Sequence, residues 1–162
     1  LSDTEEMMSK SYHYVPAMQQ PDRTSCWSTA MSWWTMAIPA VKNHSEIEIL
    51  GMYHHLTGDD GGLKFPDGFK AMLEDPKWGM MTDRISAIPM NWELCEKAFK
   101  KGPIVCGYWD INVNGYHAVA LYNYKDFEIW AMDPNGGSHV KRGMDYYVFG
   151  SLKHKGIFGY RT

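Results

Sequence analysis

The chain has 162 residues, the length of one domain and enough to bury a core. Its 16 basic and 19 acidic residues leave a net charge of −3, which supplies neither a basic face for nucleic acid nor a polybasic membrane anchor. No apolar run approaches the roughly 20 residues that span a bilayer, and the N-terminus lacks the charged-then-apolar layout of a signal peptide.

The opening Leu1-Ser2-Asp3-Thr4-Glu5-Glu6 is polar and begins without Met, so residues 1–162 are expected to form a single domain cut from a longer chain. Thr24 or Ser25 caps a helix whose apolar positions Trp27, Ala30, Met31, Trp34 and Ile38 recur at helical spacing until Pro39 stops it, which puts Cys26 in the first turn. Ser45-Glu46-Ile47-Glu48 has the form of a capping box opening a second helix, with Ile47, Leu50 and Leu56 as its stripe and its end near Gly58. A short helix is predicted through Gly68–Leu73 and another from Asn91 to Phe99, stopped by Gly102-Pro103, with loop between them.

From Ile104 the pattern changes to short β-rich segments: Ile104–Cys106, Ala118–Tyr124, Phe127–Met132, Tyr146–Phe149 and Ile157–Tyr160. The expected architecture is α+β, an N-terminal helical half packed on a C-terminal antiparallel sheet. Tyr124-Lys125-Asp126-Phe127 reads as a tight turn between two strands of nearly equal length, which brings His117, near the start of one, beside Asp133, near the end of its neighbour.

These positions have the makings of nucleophilic catalysis. A thiol attacks carbonyl carbon as thiolate, and the unpaired amides of a helix N-terminus favour the anion beside them. An imidazole can hold the proton and return it to a leaving amine if a third group fixes its tautomer, and His117 and Asp133 suit those roles. The tetrahedral oxyanion needs donors aimed at it, which the Cys26 amide and the Gln20 side chain can supply, with Gln19 as the competing donor. Singly, each residue has an ordinary structural explanation, a buried small thiol, a strand histidine or a turn aspartate; their combination is what carries the chemistry.

The remaining reactive side chains read as structural. Cys95 and Cys106 lie among apolar residues, and the three cysteines have no metal-type spacing and cannot all pair. His44, His54, His55, Asp59 and Asp60 match no ligand pattern, so no metal or cofactor is expected. Trp27, beside the thiol, and Trp109 and Tyr116, in the loop region expected before His117, are candidate substrate contacts.

Val15-Pro16-Ala17-Met18-Gln19-Gln20-Pro21, Ser25-Cys26-Trp27-Ser28-Thr29-Ala30, Gly102-Pro103-Ile104, Gly115-Tyr116-His117-Ala118-Val119 and Met132-Asp133-Pro134 follow one another in an order that resembles the papain-like cysteine peptidases of the compact bacterial effector type. The resemblance spans about residues 14 to 137. Relatives of this kind include plant-pathogen effector proteases, toxin domains of secreted bacterial proteins and leader-peptide peptidases of bacteriocin exporters. It implies a two-lobed fold with a cleft between lobes, Cys26 as nucleophile, His117 as base and acid, Asp133 as orienting residue and Gln20 as oxyanion donor. Larger papain relatives use Asn as third member; the compact ones use Asp, although Asn135 stands two residues on. The resemblance further implies an endopeptidase cleaving a protein or peptide substrate through a thioester. As a toxin domain, the C-terminal module of a longer secreted protein, it would leave the cell by a signal-independent route, act in a target-cell cytoplasm and be silenced by a cognate immunity protein. The leader-peptide peptidases suggest a narrow groove selecting Gly before the cut. An amidase, a transglutaminase or a peptidoglycan hydrolase would use the same triad, and a binding module needs none of it.

Overall fold

The computed structural model describes residues 12–85, 92–152 and 154–162. Helix α1 (Cys26–Ala37) is buried on every side rather than along the expected stripe, with Met36 its one exposed residue. Its polar residues tolerate this because their hydroxyls have acceptors: Ser28 donates to Glu46 at 2.7 Å, Thr29 to Ser25 O at 2.9 Å, Ser32 to His44 O at 2.7 Å and Thr35 to Ser32 O at 2.7 Å. The helix stops at Ala37 because Ile38, ahead of Pro39, turns extended.

Helix α2 (Glu46–Tyr53) opens on the predicted capping box, with the Glu48 amide donating to Ser45 Oγ at 3.2 Å. It is shorter than expected: the chain tightens into a 3-10 turn over His54–Leu56 before Gly58, and Ile49 and Tyr53 are its buried residues while Ile47 is exposed. Helix α3 (Asp67–Leu73) follows, and helix α4 (Trp92–Phe99) lies where one was predicted, although Asn91 is outside the described residues. Between them the expected loop contains a 3-10 turn (Pro76–Trp78) and strand β1 (Met80–Ile85). Its Met80-Met81-Thr82-Asp83-Arg84 sequence carries little strand signal because it forms an edge, paired on one side only.

Strands β2 (Ile104–Asp110), β3 (Gly115–Lys125), β4 (Glu128–Asp133), β5 (Ser138–Gly143) and β6 (Gly156–Arg161) complete one antiparallel sheet of order β1-β6-β2-β3-β4-β5. The β3–β4 turn places Asp126 and Phe127 at φ 54° and 65°, the left-handed pair whose twist matches a hairpin. Tyr146–Phe149, expected as a strand, instead forms helix α5 (Asp145–Val148) and the start of a 3-10 turn (Phe149–Leu152). Its aromatic residues suit a strand by propensity, yet burial of Tyr147 edge-on against Tyr108, 4.9 Å between centroids, sets the local structure.

Alternate strand residues enter different cores. Val105, Ala118 and Ile157 pack with Trp34, Phe69 and Trp78 of the helical half, whereas Cys106, Tyr108, Val119 and Leu121 pack with Phe99 of α4 and Tyr147 of α5. Cys95 and Cys106 are fully buried in the second core, and burial pushes the Cys95 thiol up to about 12, the behaviour of structural thiols. A third cluster joins Trp33 and Tyr122 to Val15, Ala17 and Met18.

The segment before Gln20 is fastened across the sheet. His139 Nε2 lies 2.9 Å from Val15 O, Tyr122 OH lies 2.9 Å from His139 Nδ1, and His13 Nδ1 lies 2.9 Å from the same hydroxyl. A carbonyl only accepts, so His139 Nε2 donates; burial holds this ring below its ordinary pKa, and in its neutral form Nδ1 accepts from Tyr122 and His13 donates in turn. Among the described residues no helix is long and apolar enough to cross a membrane.

Candidate active site

Cys26 is the first residue of α1 and is half-buried. Ser25 holds the N-cap position without capping: its Oγ accepts from the Asp22 amide at 3.3 Å instead of from the helix. The first amides of α1 therefore have no Ser25 side-chain acceptor, and the positive end of the helix dipole faces the thiol's surroundings.

The hairpins deliver the other two residues. Register sets His117 opposite Tyr108, two pairs inside the Asp110–Gly115 end of β2–β3, and β4 ends on Asp133 opposite Ser138. His117 Nε2 donates to Asp133 Oδ1 at 2.6 Å, and both side chains are buried. The Asn135 amide also donates to Oδ1 at 2.9 Å, and Arg142 Nη1 donates to Oδ2 at 2.9 Å. Asn135 thus enters through its backbone, two residues beyond the carboxylate it supports.

Burial alone would raise the Asp133 pKa, but hydrogen bonds from His117, Asn135 and Arg142 and the nearby positive charge hold it below the ordinary carboxylate value. For His117, burial works against the charged ring; the bonds to Asp133 and to the Cys26 side chain, and the negative charge of both, prevail and raise it to about 10. With Nε2 committed to Asp133, Nδ1 is the nitrogen left for the sulfur. Cys26 and His117 line the same two cavities, and Asp133 is bonded to the ring of His117.

Arg142 was not among the expected residues. No strand was predicted over Ser138–Gly143. The signal was its alternation, which would have put Ser138, Val140 and Arg142 on the face that carries Asp133.

Of the two glutamines, Gln20 shares a cavity of about 290 Å³ with Cys26, His117 and Asn135, whereas Gln19 does not line it. Gln20 Nε2 donates one hydrogen to Asp22 O at 2.7 Å, which orients the amide and leaves its second hydrogen uncommitted. Its backbone amide donates to Pro134 O at 3.0 Å, tying this segment to the turn that begins at Asp133. Gly137, at φ 57°, closes the same junction, since a Cβ there would meet the Gln19 backbone at 3.0 Å. The exposed Gln19 amide donates to Gln20 O at 3.2 Å.

A second cavity of about 270 Å³ also contains Cys26 and His117 and is lined by Trp27, Leu63, Phe65 and Phe69. Tyr116 borders both cavities and stacks on Phe65 with centroids 3.8 Å apart. Trp27 and Tyr116 thus line the cleft, but Trp109 lines neither cavity. It lies on β2 opposite Tyr116, not in a loop, and stacks on His154 at 3.7 Å. Among the described residues no group of His, Cys, Asp or Glu is placed to hold a metal ion.

No protein-family model and no curated protein sequence matches the chain. Solved structures are similar. The peptidase domain of Streptococcus ComA, a bifunctional ABC transporter of a quorum-sensing pathway, superposes with a TM-score of 0.63 at 13% identity, covering 92% of this chain and 100% of its own. A protein described as a C39-like peptidase, from Bacillus anthracis, gives 0.59 at 13% identity, covering 93% and 96%. A double-glycine-motif protease of an AMS/PCAT transporter, solved with its leader peptide, gives 0.52 at 17% identity, covering 93% and 94%. The α+β arrangement of this chain is accordingly the papain-like fold of C39 peptidase domains.

Proposed function

We propose that the protein is a cysteine peptidase that hydrolyses a peptide bond through a thioester. Cys26 attacks the carbonyl carbon, and His117 passes a proton to the leaving amine. Asp133 holds the imidazole in the tautomer that presents Nδ1 to sulfur, and water then attacks the thioester with His117 as base. The Cys26 amide and the Gln20 side chain receive the oxyanion. The observation that carries this reading is the 2.6 Å bond from His117 Nε2 to Asp133 in a ring whose other nitrogen is left for Cys26, at the junction of two cavities.

A peptide substrate is supported by the two cavities that meet at the thiol and by the fold shared with a protease solved on its leader peptide. The test is proteomics of newly formed N-termini in lysate treated with wild type or Cys26→Ala. New termini with wild type alone are expected. Ammonia release, amine cross-links or muropeptide cleavage in their place would move the same triad to amidase, transglutaminase or peptidoglycan chemistry. The toxin setting proposed from the motif resemblance has its own test: growth arrest on expression in bacteria, absent for Cys26→Ala and relieved by an immunity protein. A harmless wild type ends it.

A further inference from the structure

Asp133 is 2% exposed, and its two oxygens are divided between tasks. Oδ1 receives His117 Nε2 and the Asn135 amide, while Arg142 Nη1 is the donor at Oδ2. Arg142 reaches that oxygen along one face of β5. Ser138 pairs with Asp133, Val140 with the small Ala131 and Arg142 with Ile129, so the guanidinium extends back past two pairs. It is fixed on the way: its carbon lies 4.5 Å from the Tyr146 ring centroid, and Nη1 is 3.5 Å from the Tyr147 hydroxyl, both on α5. A carboxylate buried this deeply stays ionised and keeps one orientation only while both oxygens have donors. Without Arg142, Oδ2 is the oxygen that would take up a proton.

We propose that Arg142 is a positioning residue: it holds Asp133 as an oriented carboxylate and thereby sets how firmly His117 keeps its proton beside Cys26. This rests on the reading of Cys26, His117 and Asp133 as the reacting set. The groups that act on Asp133 are His117 from β3, Arg142 from β5, Tyr147 from α5 and Tyr108 from β2, with Cys26 from α1 acting through His117. Of these, Arg142 bears the positive charge on the side away from the imidazole. Losing it shifts a proton toward Asp133 and weakens the imidazolium. A neutral Asp133 no longer supports the positive ring, and the sulfur loses the charged partner that favours its anion.

The experiment is the rate of iodoacetamide alkylation against pH, with Cys26→Ser reporting any contribution of the buried Cys95 and Cys106. Wild type is expected to be alkylated at Cys26 faster than free cysteine, and its profile is the reference for the variants. Arg142→Met should raise the acid midpoint by about one pH unit or more, and Arg142→Lys, which keeps the charge, should restore most of the shift. An Arg142→Met profile that overlays wild type overturns the proposal even if its melting temperature falls, because that is what a purely structural ion pair would give. Should Arg142→Met fail to fold, Arg142→Gln, closer in shape, is judged by the same criterion. A wild type that alkylates like free cysteine sinks the catalytic reading and this proposal together. A wild type more reactive than free cysteine with unmoved variants sinks this proposal alone.

Discussion

The two sides of the cleft hold their reactive groups by different means. On the sheet side, His117 and Asp133 are fixed atom by atom through strand register, the Asn135 amide and Arg142. On the helix side, Cys26 is carried by packing of α1, with Trp33 and Trp34 fully buried behind it, and Gln20 by a turn onto Asp22 and one backbone tie to Pro134. Hydrogen bonds specify atoms and protonation states, whereas packing specifies volume and position. The base is therefore tuned electrically, and the thiol is delivered mechanically.

The contrast is broken most severely by Asp133→Asn. The amide keeps the shape but loses the charge, and it can present a donor where His117 requires an acceptor. Turnover should fall by about a hundred- to ten-thousand-fold, with Cys26 still reachable by a small alkylating agent. Near-normal turnover would mean that the carboxylate does not govern the imidazole. On the more loosely held side, Gln20→Ala should lower kcat by about a hundred- to a thousand-fold with little change in KM, the mark of a donor used in the transition state. Gln19→Ala should stay within a few-fold. The opposite ranking would transfer the oxyanion role to Gln19.

The smallest effect is on stability, and it belongs to the sheet side. The Asp133 pKa is lowered from 3.8, so its contribution is present above that pH and lost as acid protonates it. The His117 pKa is raised from 6.5 to about 10, so its contribution is full below about 6.5 and disappears as pH rises toward 10. Thermal melts across pH should peak between about 4 and 6.5, and His117→Gln should flatten the alkaline decline. An unchanged alkaline limb in that variant would separate the imidazole from the stability of the fold.

What could be read from the sequence was whatever neighbouring residues decide. The capping box at Ser45, the stop at Pro39 and the turn after Lys125 act within a few residues, and strand lengths then place His117 beside Asp133 by arithmetic. What escaped is decided by distant partners. Strand β1 exists because β6 lies beside it, the Tyr146–Tyr147 segment is helical because Tyr147 packs on Tyr108, and Ser25 abandons its cap for Asp22. Arg142 was hidden for the same reason: its partner is chosen across a strand pair that its own sequence does not announce. Trp109 was misplaced because a strand with an aromatic facing another strand looks, in one dimension, like a binding loop.

Gly137 carries a consequence for how this site can drift. It has no polar side chain and lines neither cavity, yet it lies where the turn after Asp133 presses on the Gln19 backbone. A saturation scan scored by activity should find it sensitive, because an added carbon forces the glutamine segment or the aspartate turn to give way. Position 137 should thus tolerate substitution poorly, because the Gln19 backbone crowds an added side chain and a φ of 57° strains one.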